Sequence, residues 1–193
     1  MTRVACLLGS PRAGGNSDLL AGAFCDAAGE AGASVEQFAL RDLLFQGCVS
    51  LRHCKTGGET CGLGDDLNPV LSAVAEADVV VIATPIYFCN MSGLAKQALD
   101  RFFSFFVPDY VTADVPSRLG RNKTFVLVQV QGEGADRYGD LLDQYGPALD
   151  KLGFQRRELI RASGVREIGD VLARSDALQQ AKTLARDLTG GGV

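Results

Sequence analysis

The chain alternates short apolar runs with segments of helical periodicity along most of its 193 residues. Three of these runs are almost uninterrupted and are followed within two residues by glycine or proline: residues 4–8, 78–84 and 124–130. Continuous apolar runs of this length are typical of strands that helices cover on both faces. The pattern therefore predicts parallel strands joined by right-handed helical crossovers, with ligands bound beyond the carboxyl ends of the strands.

The remaining segments complete a βαβαβαβαβα order. Strands are predicted at 4–8, 34–40, 78–84, 124–130 and 154–160, and helices at 17–32, 68–76, 92–105, 136–152 and 170–188, before a glycine-rich tail. Pro85 is expected to end the third strand, and Ser92 to cap the helix that follows. Residues 41–66 lack periodicity, so they are expected to form a cysteine-bearing excursion from a single domain spanning residues 1–193.

Composition excludes several classes of partner. A net charge of −4 gives no general attraction to nucleic acid or to anionic lipid, and no apolar run approaches the ~20 residues of a membrane helix. The apolar run near the N-terminus is too short for a signal peptide, so the six cysteines are expected to be reduced thiols in the cytoplasm. Small-molecule partners are therefore expected.

The loop GSPRAGGNS at residues 9–17 follows the first strand and opens the first helix. Ser10, Asn16 and Ser17 offer neutral donors and Arg12 a positive charge, beside a helix N-terminus that favours anions. A proline replaces the second glycine of the dinucleotide pattern, and the P-loop lysine is missing. The loop therefore suits a terminal monophosphate, such as that of flavin mononucleotide (FMN). The alternative is that Asn16 or Ser17 merely caps the helix.

Two further loops follow strands at the same expected edge of the sheet. Residues 84–88 place Tyr87 and Phe88 after a proline, where an aromatic ligand could stack on them. The alternative for both aromatics is a place in the core or in a subunit interface. Residues 131–133 follow the fourth strand.

Several segments together carry a family resemblance. They are GSPRAGGNS at 9–17, GCVSLRHC at 47–54, CGLGDDL at 61–67, ADVVVIATPIYFCNMSGLAKQALDR at 77–101 and GVREIGDVL at 164–172. On these segments the chain resembles the NADPH-dependent FMN reductase and iron–sulfur flavoprotein branch of the flavodoxin-like superfamily. The resemblance implies a doubly wound α/β fold with a five-stranded parallel sheet, in the order 2-1-3-4-5, and helices on both faces.

The same resemblance implies FMN as the cofactor and NAD(P)H as its reductant. It assigns the phosphate to Ser10, Arg12, Asn16 and Ser17, the ribityl chain and isoalloxazine to Thr84, Pro85, Ile86, Tyr87 and Phe88, and the border of the ring to Gln131, Gly132 and Glu133. No catalytic side chain is expected, because the flavin N5 carries the chemistry.

Three cysteines fall in the excursion: Cys48, Cys54 and Cys61. The iron–sulfur branch carries four cysteines in a compact motif, and Leu51 stands where its second cysteine belongs. A four-iron cluster normally takes four thiolates, and a zinc site that includes His53 would need tighter spacing. We therefore expect these three cysteines to bind no metal. The alternatives are a degenerate iron–sulfur cluster and a redox-active pair of cysteines.

These observations favour an oxidoreductase in which NAD(P)H reduces FMN, and the reduced flavin then reduces free flavin, a quinone or another small acceptor. The alternatives are an electron carrier that docks a protein partner and a regulatory module without redox function. The run at residues 102–106, FFSFF, has more aromatics than one buried face can use. Part of it is expected to be exposed in the monomer and covered in a homodimer or homotetramer.

Overall fold

The computed structural model describes residues 1–190, and the end of the predicted glycine-rich tail lies outside the described residues. The strands are β1 (Arg3–Leu8), β2 (Ser34–Ala39), β3 (Val79–Tyr87), β4 (Asn90–Met91), β5 (Lys123–Gln131) and β6 (Phe154–Ser163). The helices are α1 (Asn16–Glu30), α2 (His53–Thr56), α3 (Leu67–Glu76), α4 (Gly93–Arg101), α5 (Leu141–Leu152) and α6 (Ser175–Thr189). Helices α5 and α6 begin about five residues later than predicted, because loops at the strand ends occupy the preceding residues.

Five strands form a parallel sheet in the order β2-β1-β3-β5-β6. This is the predicted order 2-1-3-4-5 once the two-residue strand β4 is set aside, so the predicted fold class is confirmed. Strand β4 pairs antiparallel with the end of β3 and makes a sixth strand, which the periodicity did not predict because it is so short.

The sheet separates two apolar cores. Along β5, Phe125 and Leu127 face a core shared with α3, α4 and α5, whereas Val126 and Val128 face a core shared with α1 and α6. Alternate residues of a strand point to opposite faces, so a strand buried on both faces must be apolar throughout. With both faces covered, the carboxyl ends of the parallel strands are the edge at which a ligand can enter.

The expectation that Pro85 ends the third strand is wrong. Pro85 lies in register with Val130 of β5, and β3 continues to Tyr87. Proline keeps its carbonyl and fixes φ within the range that strands use, so it is tolerated at the end of a strand. The chain then turns back into β4 through Phe88 and Cys89, whose φ angles are 48° and 67°. Two consecutive positive φ angles define the tight hairpin turn that joins twisted strands.

Most of the aromatic run at 102–106 is buried, and only Phe103 keeps part of the exposure that was expected. Helix α4 ends at Arg101 and a 3₁₀ turn over Phe102–Phe105 rolls the chain inward, so Phe102, Phe105 and Phe106 are buried. Phe103 is half-buried and packs against the same core. The run therefore gives no argument for a subunit interface.

The 41–66 segment is held against α4 by a buried arginine. The Arg101 side chain has no exposed surface, and its guanidinium donates to Asp65 at 2.8 and 3.0 Å and to the Asn68 Oδ1 at 2.9 Å. It also donates to the Gln46 carbonyl at 2.9 Å and to the Cys61 Sγ at 3.0 Å. Arg101 thus ties the excursion to α4, and Lys55 adds hydrogen bonds to the carbonyls of Phe103 and Phe106 at 2.7 and 2.6 Å.

Candidate functional site

A cleft of about 310 Å³ lies at the carboxyl ends of the parallel strands. It is lined by Ser10, Arg12, Gly15, Asn16, Ser17, Pro85, Ile86, Tyr87, Val130, Gln131, Gly132, Glu133, Val165, Arg166 and Ile168. The structure therefore brings together all of the predicted site residues except Thr84 and Phe88. A cleft of this size is at the lower end of the range of small-molecule sites.

The loop after β1 is folded back on itself around Ser10. The Ser10 Oγ accepts the Arg12 N–H and donates to the Arg12 carbonyl, each at 3.0 Å. A Cβ added to Gly15 would lie 2.8 Å from this hydroxyl oxygen and 3.1 Å from the Arg12 carbonyl oxygen. Glycine at position 15 therefore leaves room for the turn that presents the start of α1 to the cleft.

The start of α1 has no side-chain cap. Gly15 is the N-cap residue, and neither Asn16 nor Ser17 bonds to the first turn, so the capping alternative is wrong. Ser17 is only 1% exposed, so water does not reach its hydroxyl freely. The Ser17 Oγ nevertheless has no hydrogen-bond partner within residues 1–190. A buried hydroxyl without a partner is unfavourable, and the first backbone N–H groups of a helix have no partner inside it. These groups fit the oxygens of a phosphate.

The Asn16 side chain, which was predicted to contact the phosphate, makes hydrogen bonds to another part of the protein. Its Nδ2 donates to the Glu167 carbonyl at 2.8 Å, and its Oδ1 accepts the N–H groups of Gly169 and Val171, each at 3.1 Å. The Asn16 amide thus ties the start of α1 to the loop after β6. Its side-chain amide is committed to the protein, and only its backbone N–H faces a ligand at the helix start.

That loop supplies a wall of the cleft that the sequence did not assign, through Val165, Arg166 and Ile168. The Asp170 Oδ2 accepts the N–H groups of Arg166 and Glu167 at 2.8 Å each, and these bonds hold the pKa of Asp170 below its ordinary value. The sequence pointed to this loop only through the segment GVREIGDVL at 164–172. That segment was part of the family resemblance, but none of its residues was assigned to the site.

Thr84 does not line the cleft but bonds to Ser92, which in turn bonds to the first loop. The buried Thr84 hydroxyl donates to the Pro85 carbonyl and accepts the Ser92 N–H, each at 2.9 Å. The Ser92 hydroxyl accepts the Ala95 N–H at 3.2 Å, which confirms the predicted cap of α4, and donates to the Gly9 carbonyl at 2.6 Å. Thr84 therefore supports the site without lining it.

Phe88 is fully exposed at the tip of the β3–β4 hairpin and does not line the cleft, whereas the exposed ring of Tyr87 does. Neither aromatic belongs to the core. Of the two predicted stacking residues, the structure places only Tyr87 against the cleft.

The third loop is shaped by glutamine side chains. The Gln131 Nε2 donates to the carbonyls of Gly134 and Arg137 at 2.7 and 3.0 Å, and its Oε1 accepts from the Gln129 Nε2 at 2.7 Å. Gln131 thus fixes the path of residues 132–137, of which Gly132 and Glu133 line the cleft.

The side chains around the start of α1 carry a net positive charge. Burial raises the pKa of Asp18 above its ordinary value, although Arg41, 2.9 Å away, opposes this rise. The opposite charges of Asp18 and Arg41 therefore cancel. Arg12 and Arg166 line the cleft and form no ion pair within residues 1–190.

The cysteines of the 41–66 segment lie in separate environments. Cys48 is exposed, Cys54 is buried, and the Cys61 Sγ accepts from the Arg101 Nε. Within residues 1–190, no three histidine, cysteine, aspartate or glutamate side chains are grouped so that they could hold a metal ion. A degenerate iron–sulfur site therefore has no ligand set in the part of the chain that the structure describes.

The strand order and the cleft at the carboxyl ends of the strands together define a flavodoxin-like fold. The family model for NADPH-dependent FMN reductases matches residues 2–149. The chain belongs to the NADPH-dependent FMN reductase family.

Relatives agree with this family. An iron–sulfur flavoprotein of Methanocaldococcus jannaschii is 33% identical over 99 residues, which cover 51% of this chain and only about half, 51%, of that protein. A putative NAD(P)H-dependent FMN-containing oxidoreductase of Bacillus subtilis is 26% identical over 185 residues, which cover 95% of this chain and 97% of that protein.

Solved structures share the fold. An FMN-dependent NADH-azoreductase of Bacillus anthracis in complex with FMN has a TM-score of 0.72 at 17% identity, covering 98% of this chain and 100% of that chain. An NAD(P)H:quinone oxidoreductase of Methanothermobacter marburgensis has a TM-score of 0.69 at 19% identity, covering 97% and 96%. At these identities the likeness shows the fold alone.

Family membership confirms the predicted family, because the model that matches describes NADPH-dependent FMN reductases. No helix within residues 1–190 has the length and apolar character needed to cross a membrane.

Proposed function

We propose that the cleft binds FMN with its phosphate at the start of α1. The observation that carries this proposal is the buried, unpartnered Ser17 hydroxyl beside the uncapped first turn of a helix. Ser10 and Arg12 complete the phosphate contacts, together with backbone N–H groups of residues 16 and 17. Asn16 acts through the loop after β6, which it holds against the helix start.

The rest of the cofactor is assigned to the other two loops. Pro85, Ile86 and Tyr87 are proposed to contact the ribityl chain and the isoalloxazine, with Thr84 as the support beneath them and Phe88 at the solvent edge of the same hairpin. Gln131, Gly132 and Glu133 are proposed to border the ring, because Gln131 sets the course of this loop.

The proposed reaction is the reduction of bound FMN by NADH or NADPH, followed by reduction of a quinone, a free flavin or another small acceptor. FMN would supply hydride acceptance and the transfer of one or two electrons. The chain's own residues bind and orient the cofactor, and backbone N–H groups of the second and third loops offer donors to the ring as its charge changes. No side chain is assigned a proton transfer.

Substitution of Ser10 tests the phosphate assignment. The purified protein should be yellow and release FMN on denaturation, and Ser10→Asp should repel the phosphate and weaken FMN binding on the order of tenfold or more. Ser72→Asp, an exposed site on α3, is the matched control and should leave affinity unchanged. A colourless protein that takes up no FMN, or equal affinity in wild type and Ser10→Asp, contradicts the assignment.

We further propose a homodimer or homotetramer in the cytoplasm. The exposed Tyr87 and Phe88 at the cleft rim support association, because apolar groups displayed on a rigid hairpin are commonly covered by a partner. The six free thiols suit a reducing compartment. Light scattering at micromolar concentration should give two or four times the chain mass, and a monomer would contradict the proposal.

A further inference from the structure

Two guanidinium groups face the cleft without an acidic partner. Arg12 reaches it from the loop after β1, and Arg166 reaches it from the loop after β6. Their only hydrogen-bond partners within residues 1–190 are backbone carbonyls: Arg12 Nη1 lies 3.3 Å from the Arg166 carbonyl oxygen, and Arg166 Nε lies 3.3 Å from the Gly132 carbonyl oxygen. Two arginines against one carboxylate, that of Glu133, leave the lining of the cleft with a net positive charge, which favours an anionic ligand.

The position of Arg166 is set by the protein around it. Its backbone N–H donates to Asp170, and Asn16 anchors the following residues to the start of α1. Its side chain lies across the third loop, where a Cβ added to Gly132 would be 3.1 Å from the Arg166 Cγ and 3.2 Å from its Nε. Arg166 is therefore held between the start of α1 and the third loop.

We propose that Arg166 is a second cationic contact for the FMN phosphate and that it sets the preference of this chain for FMN over riboflavin. The inference rests on the proposed function and deepens it. Arg166 lies in the segment GVREIGDVL, outside residues 2–149, the part of the chain that the family model matches.

Charge balance supports the phosphate as the target. A phosphate monoester carries about −1.5 to −2 charges near pH 7, and a single arginine would leave part of that charge unpaired. Asp18 and Arg41 neutralise each other, so Arg12 and Arg166 are the charges that remain at the helix start. The oxidised isoalloxazine is neutral and needs no such pair.

Riboflavin, which lacks the phosphate, makes the test specific. Apoprotein is titrated with FMN and with riboflavin, and quenching of flavin fluorescence gives both dissociation constants. Arg166→Gln should weaken FMN binding about tenfold, as expected for the loss of one charge-assisted contact in partly exposed surroundings, and should leave riboflavin binding unchanged. Arg166→Lys should be intermediate, because it keeps the charge and loses the fork of donors. Added salt should shrink the difference between wild type and Arg166→Gln.

The control is Arg121→Gln, an exposed arginine that precedes β5 at the opposite edge of the sheet. It should leave both affinities unchanged. Equal FMN affinity in wild type and Arg166→Gln would overturn the inference, and so would an equal loss for FMN and riboflavin, which would mark a contact to the ring or a collapsed loop. A wild-type protein that binds neither flavin would overturn the proposed function and this inference together.

Discussion

Ser17 and Asn16 are neighbours at the start of α1, yet their side chains act in different directions. Within residues 1–190 the buried Ser17 hydroxyl has no partner, whereas the side-chain hydrogen bonds of Asn16 all go to the loop after β6. Both are small polar residues before a helix, so the sequence predicts the same role for them. Their difference depends on contacts with residues more than 150 positions away, which no local pattern contains.

At the residue scale, the account predicts that Gly15→Ala weakens FMN binding on the order of tenfold. The added Cβ would lie within 3.1 Å of both Ser10 Oγ and the Arg12 carbonyl, so the loop must shift away from the phosphate. Fluorescence titration with FMN measures the effect.

The matched control is Gly22→Ala, in the interior of the same helix, where an added Cβ meets nothing within 4 Å. It should raise the free energy of unfolding by about 0.5–1 kcal/mol and leave FMN affinity unchanged. An FMN affinity of Gly15→Ala equal to that of Gly22→Ala would contradict the assigned role of the loop.

At the element scale, the 41–66 segment depends on the contact between Arg101 of α4 and Asp65. Burial raises the pKa of Asp65, but hydrogen bonds from Arg101 and from the Gln46 N–H outweigh it, and the net pKa lies below its ordinary value. A carboxyl whose pKa is lowered by folding stabilises the fold above its unfolded pKa. This contribution is lost as the pH falls through the folded pKa.

Arg101→Met should therefore lower the free energy of unfolding by about 3 kcal/mol near neutral pH, because it leaves a partly buried carboxylate without its partner. The difference from wild type should begin to shrink as the pH falls below about 4, the ordinary pKa of an aspartate, and should vanish only below the lowered pKa that Asp65 has in the folded wild type. Urea unfolding at several pH values measures it.

Lys96→Met provides the control on the same helix. Lys96 and Asp100 form an exposed pair at 2.5 Å, so its loss should cost less than about 0.5 kcal/mol. A cost for Arg101→Met as small as this, or one that does not change with pH, would contradict the proposed anchor.

The sequence predicted the elements that form the sheet and missed details set by tertiary contacts. Five strands and their order follow from apolar runs and a family resemblance, and the three central strands β1, β3 and β5 are almost wholly buried. The continuation of β3 through Pro85 depends on pairing with β5 and β4, and the burial of residues 102–106 depends on the 3₁₀ turn after Arg101. Neither contact is encoded in local periodicity.

At the scale of the whole molecule, the cleft combines four loops from distant parts of the chain. The loops after β1, β3 and β5 were predicted from the glycine, proline and aromatic residues that follow apolar runs. The role of the loop after β6 became visible only in the structure. Such a site forms only when the complete sheet is assembled, which supports the proposal that residues 1–193 fold as a single domain.

A single domain should unfold in one cooperative transition, and bound FMN should stabilise it. At a free FMN concentration 100 times the dissociation constant, the stabilisation should be about 2.7 kcal/mol. Calorimetry of the apoprotein and of the FMN complex measures both. Two separate transitions, or a transition temperature that FMN does not move, would contradict the proposal.

The central claim is that FMN in this cleft accepts reducing equivalents from a nicotinamide. Anaerobic mixing of the FMN-bound protein with NADPH, and separately with NADH, tests it most directly. The visible absorption of the bound flavin should bleach rapidly with at least one of the two nucleotides, and the colour should return when a quinone is added. A flavin that stays oxidised after long incubation with both nucleotides would contradict it.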